Sequence, residues 1–107
     1  MIQKKSPSED CASKLKALAD PTRLAIVRAL LKGPQHVWRI NEEVSVDQSL
    51  LSHHLRVLRD AGIVTSERDG KAVLYGLARG IRGSSRKKGI QLGCCVLSFE
   101  TDFLENG

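Results

Sequence analysis

The apolar spacing of this chain changes once, at Gly62, and that change limits the fold more than any other feature. Before it, apolar residues recur every three or four positions, the period of a helix. After it, strand-forming runs over 63–67 and 72–77 flank Arg68-Asp69-Gly70-Lys71, and Asp-Gly is a strong hairpin turn signal. Ser6 and Pro7 open a first helix, with Glu9 three residues after the cap. Cys11, Leu15 and Leu18 share its inner face, and it ends near Ala19. Asp20 caps a second helix that starts on Pro21 and stops at Gly33-Pro34. Its stripe is Leu24, Val27 and Leu31, flanked by Ile26 and Leu30. A short third helix over 37–44 turns Val37, Ile40 and Val44 inward. Asp47 then caps a fourth, running to about Ala61, with Leu51, Leu55 and Leu58 buried and Leu50 and Val57 beside them.

Helix, helix, short helix, helix, hairpin is the order of a winged helix-turn-helix domain. The expected class is therefore mostly α with a small β-hairpin wing. Residues 79–89 are rich in Gly, Ser and base (Arg82, Arg86, Lys87, Lys88) and read as a linker, either solvated or tracking DNA phosphates. Residues 90–99 read as an extra C-terminal strand, followed by a frayed polar tail. The expectation is one domain over 1–107, with its core at about 8–78.

Apolar content of 41% and charged content of 27% over 107 residues fit a globular chain, and one this short gains from dimerisation. No apolar run is long enough to span a bilayer, and no apolar stretch follows the basic N-terminus, which points to the cytoplasm. A net charge of +5 favours polyanionic partners. Three cysteines, an odd number without zinc-finger spacing, argue against a disulfide framework.

Reading DNA requires polar side chains that reach base edges from a helix held rigid by its other face. The fourth helix offers Gln48, Ser49, Ser52, His53 and Arg56 on its outer side. Gln pairs with adenine, Arg with guanine, and Ser with base or phosphate. An ordinary surface helix is also polar outside and leucine-rich inside, but the short helix before it and the hairpin after it favour a reader. Arg68 and Lys71 flank the wing tip, where they meet phosphate or only solubilise the hairpin. No cysteine is matched to a base and an oxyanion site, so an enzyme is not expected.

Leu15-Lys16-Ala17-Leu18-Ala19-Asp20-Pro21-Thr22-Arg23-Leu24 resembles the opening signature of the ArsR/SmtB family. Residues 49–64 resemble its recognition helix and exit, and Glu67-Arg68-Asp69-Gly70-Lys71 with Val73-Leu74-Tyr75 its wing. The resemblance implies a homodimeric repressor that binds double-stranded operator DNA and releases it on a metal, metalloid or redox signal. It places DNA contacts at Ser49, Ser52, His53 and Arg56, and makes His54 a packing or locally bonded residue.

Metal-sensing members carry cysteines on the third helix or acidic and histidine ligands on a long C-terminal helix. Here 37–43 has no cysteine, and no histidine follows His54, so the usual metal positions are vacant of ligands. What remains is Cys94-Cys95, with Cys11 able to join. Vicinal thiols suit As(III), Zn(II) or Cu(I). In a strand they would instead point to opposite faces and simply pack. Two further readings stand beside the repressor: a winged helix that binds proteins and not DNA, and a thiol redox sensor that binds no metal. The first helix and the C-terminal strand are the expected dimer contacts.

Overall fold

Two aspartates start the helices on which the rest is built. The chain, as a computed structural model, is described over residues 7–82 and 89–99. The elements run α1 (Pro7–Leu18), α2 (Pro21–Leu30), β1 (Gln35–His36), α3 (Val37–Val44), α4 (Gln48–Asp60), β2 (Val64–Asp69), β3 (Ala72–Leu77), β4 (Gly89–Gln91) and β5 (Val96–Ser98). Asp20 accepts hydrogen bonds from the backbone N–H of Thr22 (2.9 Å) and Arg23 (3.0 Å), and Asp47 accepts one from Ser49 (3.0 Å). These satisfy donors that a helix start leaves without partners. The Ser6 cap, the basic residues Arg86, Lys87 and Lys88, and the polar tail lie outside the described residues.

The core is aliphatic. Ile26, Val27 and Leu30 of α2, Ile40 of α3, and Leu51, Leu55 and Leu58 of α4 are buried together with Ile63 and Val64. The α2 stripe is rotated from its expected position: Leu24 and Leu31 are only partly buried, while Ile26 and Leu30 are fully covered. On α1, Cys11, Ala17 and Leu18 are buried, but Leu15, expected inside, is 43% exposed. The inward face of α1 runs through Cys11 and Leu18, a separation of two turns, and Leu15 lies at its edge.

The wing is an antiparallel hairpin of β2 and β3, paired from Val64↔Leu77 to Asp69↔Ala72. Arg68 and Asp69, expected in the turn, are the last residues of β2. The turn is the two-residue link Gly70-Lys71, with Gly70 at φ +67°. A positive φ at the first turn residue alone is the type II′ pattern, which glycine accepts without steric cost. β1 adds a third strand, Gln35↔Tyr75 and His36↔Leu74, giving the order β1-β3-β2. Two residues are too few to leave a period in the sequence.

The single C-terminal strand is not formed. Residues 89–98 fold into a second hairpin of β4 and β5, paired Gly89↔Ser98, Ile90↔Leu97 and Gln91↔Val96. Gly93 turns the chain at φ +97°, its N–H donating to Gln91 Oε1 at 2.9 Å, and Leu92 N–H donates to the Cys95 carbonyl at 2.9 Å. Ile81, Ile90 and Leu92 bring this hairpin into the core cluster. Arg82, expected in the linker, is recruited as a helix cap. Its guanidinium donates to the carbonyls of Leu31 (2.7 Å) and Leu30 (3.2 Å) at the end of α2. Those carbonyls lack intrahelical partners, and a cation is favoured at that end of the helix dipole.

One polar cluster joins three helices. Arg23 of α2 donates from Nε to the Ala17 carbonyl of α1 (2.5 Å), and its Nη1 lies 3.1 Å from Nδ1 of His54 on α4. Asp20 Oδ2 is 3.9 Å from the same Nδ1. Burial holds the His54 pKa below its ordinary value, against the pull of Asp20, and Arg23 and His53 push the same way as burial. Neutral His54 can therefore accept from Arg23 through Nδ1. The Arg23 backbone N–H, chiefly, holds the Asp20 carboxyl below its ordinary value, with His54, Thr22 and the Arg23 charge adding to the effect and desolvation opposing it.

Two predictions follow from these contacts. A histidine with a depressed folded pKa binds fewer protons folded than unfolded, so its stabilisation is complete above the unfolded value of about 6.5 and is lost as pH falls below it. Asp20 has the same sign in a lower window, losing its contribution as pH falls below about 3.9. Urea unfolding should show the chain weakening from pH 7 towards 5.5, and His54→Gln should flatten that first decline while sparing the second. Arg82→Ala should cost about 1 kcal/mol by the same measurement, the value of an ordinary hydrogen bond at a partly solvated site.

Candidate nucleic-acid interface

The outer face of α4 is made by what its inner face excludes. With Leu51, His54, Leu55 and Leu58 buried, the helical period leaves Gln48, Ser49, Ser52, His53 and Arg56 in solvent, and all five are exposed. His54 sits on the inner side, bonded to Arg23. Kept neutral there, it adds no charge beside its exposed neighbour His53. Leu50 is exposed as well, contrary to the expectation that it flanks the core.

The turn that sets α4 against α3 is braced by a residue with no evident signal in the sequence. Asn41 donates from Nδ2 to the Val46 carbonyl (3.1 Å), and its Oδ1 accepts from the Val46 N–H (3.0 Å). Ser45 closes α3 in the left-handed region at φ 49°, the only described non-glycine residue with positive φ. This reciprocal pair of bonds holds the three-residue turn and hence the angle at which α4 is presented. An Asn four residues before a helix-turn-helix bend could have been noticed as a side chain that closes local backbone turns.

Between the start of α4 and the wing lies a groove of about 560 Å³, lined among others by Trp38, Asn41, Gln48, Ser52, Val73 and Tyr75. Trp38, the single tryptophan of the chain, is 60% exposed and stacks beside His36, with the two planes within 7°. His36 Nε2 in turn lies 2.9 Å from Asp69 Oδ2, fastening β1 to the end of β2 beside the wing tip. Arg68 and Lys71 are both exposed at that tip. The groove thus has a polar wall from α4, an aromatic rim from α3, and cations at the tip of the wing. Trp38 was not singled out from sequence, where it stood only as one residue of a short amphipathic helix.

The sulfur atoms are gathered at another part of the fold. Cys11 of α1 and Cys94 of the second hairpin are joined as a disulfide, with Cα atoms 6.0 Å apart. The free Cys95 Sγ is 3.5 Å from Cys94 Sγ and 3.9 Å from Cys11 Sγ. The expectation that an odd cysteine count opposes disulfide formation fails, because one pair forms and one thiol is left. The expectation that Cys94 and Cys95 point to opposite faces also fails, because the turn at Gly93 takes both out of the strand.

Comparison with known proteins gives a consistent answer. Residues 20–66 match the family described as "Bacterial regulatory protein, arsR family". The HTH-type transcriptional regulator NmtR of Mycobacterium tuberculosis is 46% identical over 66 residues, which is 62% of this chain and 55% of that protein. The chain spans about half the length of the curated mycobacterial relatives it matches. The crystal structure of the transcriptional repressor BigR from Xylella fastidiosa superposes with a TM-score of 0.63 at 35% identity, covering 67% of this chain and 74% of that one. A homodimeric winged helix-turn-helix DNA-binding domain from Mycobacterium bovis, solved by NMR, gives 0.63 at 27% identity, covering 73% and 76%. The fold is a winged helix-turn-helix, and the chain belongs to the ArsR family of bacterial regulatory proteins.

Proposed function

We propose that this chain is a sequence-specific transcriptional repressor that binds operator DNA as a homodimer, in the cytoplasm, and works by binding rather than catalysis. The observation that carries the reading is the two-sided character of α4: one face wholly buried, the other presenting Gln48, Ser49, Ser52, His53 and Arg56 to solvent. In this reading α4 enters the major groove, where Gln48 and Arg56 are suited to adenine and guanine edges and Ser49 and Ser52 to base or phosphate. Arg68 and Lys71 of the wing tip engage phosphate and position the protein without specifying sequence. A two-fold dimer would set two such helices about 34 Å apart, on a palindromic site. BigR is described as a repressor and the mycobacterial domain as a homodimer that binds DNA, and relatives of these kinds support the same assignment here. Cys11, Cys94 and Cys95 are the effector site in this scheme.

Ser52→Ala combined with Arg56→Ala should lower affinity for the operator by about ten- to a hundredfold per lost base contact while leaving thermal unfolding unchanged. Gel shift against DNA from upstream of its own gene, at fixed salt, checks this, and an unchanged affinity would remove α4 as the reader. The affinity of the unaltered chain should fall steeply as salt rises; a flat response would favour a protein partner instead. Because Trp38 lines the groove and is the chain's only tryptophan, its emission should shift on DNA addition, and the shift should vanish in the double variant.

A further inference from the structure

Three sulfur atoms from opposite ends of the described chain lie within 4.8 Å of one another. Among the described residues this is the one cluster of three metal-competent side chains. We propose that Cys11, Cys94 and Cys95 form a disulfide-gated site for a soft, three-coordinate thiophilic ion. The site is closed while Cys11 and Cys94 are bonded and open when that bond is reduced.

The spacing supports the open state. Metal–sulfur bonds of about 2.3 Å around a three- or four-coordinate centre put the sulfurs about 3.8–4.0 Å apart. Cys95 already stands 3.9 Å from Cys11 and 3.5 Å from Cys94. Only the Cys11–Cys94 separation must grow, and breaking the disulfide is the event that lets it. Gly93 makes the arrangement feasible, since its turn brings two sequence neighbours to one side. Cys94 and Cys95 are exposed and admit an ion from solvent, whereas Cys11 is 4% exposed and shields its inner side.

The donor set selects the ion. Three thiolates and no further described ligand in the cluster leave a tetrahedral zinc site one ligand short. Soft sulfur donors with three-fold coordination suit an ion such as trivalent arsenic instead.

The chemistry balances in two steps. Two molecules of a low-molecular-weight thiol reduce the Cys11–Cys94 bond by exchange, giving two cysteine thiols while the small thiols are oxidised to their own disulfide. Arsenous acid, As(OH)3, then exchanges its three hydroxyls for three cysteine sulfurs. Three As–S bonds form, three S–H bonds break, and three waters leave with no change of oxidation state.

The site stands apart from the DNA-reading helix, so its test does not depend on operator binding. The full chain is treated with arsenite either as the disulfide form or after reduction by a phosphine, which does not itself compete as a thiol. Native mass spectrometry and thiol counting are read in parallel. The reduced chain should take up one arsenic and lose three reactive thiols together, and the disulfide form should take up none. Cys95→Ser leaves the disulfide pair intact, so it should unfold thermally like the unaltered chain. Once reduced, it should bind arsenite more weakly by on the order of tenfold or more. Cys11→Ser should do the same. Three thiols still reactive in the presence of arsenite, equal uptake by the disulfide form, or full affinity in either reduced variant would overturn the proposal.

Discussion

Arg23 joins α1, α2 and α4 through one guanidinium, and the orientation of the exposed helix face depends on that junction. Its Nε holds the Ala17 carbonyl, its Nη1 holds His54, and its backbone N–H is itself tied to the Asp20 cap. The leucines around it supply most of the driving force, since burying each of Leu51, Leu55 and Leu58 contributes about 1.5–3 kcal/mol. Burial of that kind is non-directional and would tolerate some rotation of α4 about its axis. Hydrogen bonds to His54 do not. The polar contact therefore decides which residues of α4 remain in water, and apolar packing decides that the helix is held at all.

Much of this was legible in the sequence, and the parts that were not have definite causes. The four helices could be placed because their apolar periods are long and their caps, Asp20 and Asp47, are strong. The local role of His54 followed from its place beside the leucine stripe, but its partner Arg23 is 31 residues away and no spacing rule connects them. The exposed set from Gln48 to Arg56 was readable because a helix assigns faces by arithmetic. The groove beside it was not, since it depends on β1, a strand of two residues, and on Trp38 reaching the same space from another helix.

The C-terminal region misled for a related reason. A run such as Ile90-Gln91-Leu92-Gly93-Cys94-Cys95-Val96-Leu97 is apolar enough to read as one strand, and an isolated glycine in it can mark either a bulge or a reversal. Here Gly93 reverses the chain. That single conformational choice turns a strand with side chains on alternate faces into a hairpin whose tip carries two thiols. Arg82 shows the other limit of composition. It belongs to a run of Gly, Ser and base that reads as solvated, yet the open carbonyls of Leu30 and Leu31 fix it to the end of α2.

The two sites are joined by ordinary covalent and hydrogen-bonded structure. Cys11 lies on the buried face of α1, and two turns along the same helix the Ala17 carbonyl accepts from Arg23. Arg23 meets His54, and His54 is the inner neighbour of the exposed His53 on α4. A shift of α1 along its axis cannot leave this chain of contacts unchanged, because the Arg23–Ala17 bond is short and directional while the surrounding leucine contacts are not. The sulfur cluster fastens α1 to the second hairpin, and that hairpin is anchored in turn by Ile90 and Leu92 in the core and by Arg82 at the end of α2. Whatever state the three sulfurs adopt is thus set between two fixed points: a hairpin held by burial and a helix whose far end touches the clamp on α4. That placement gives the cysteines a mechanical connection to the candidate reading helix although none of them lies near it in sequence.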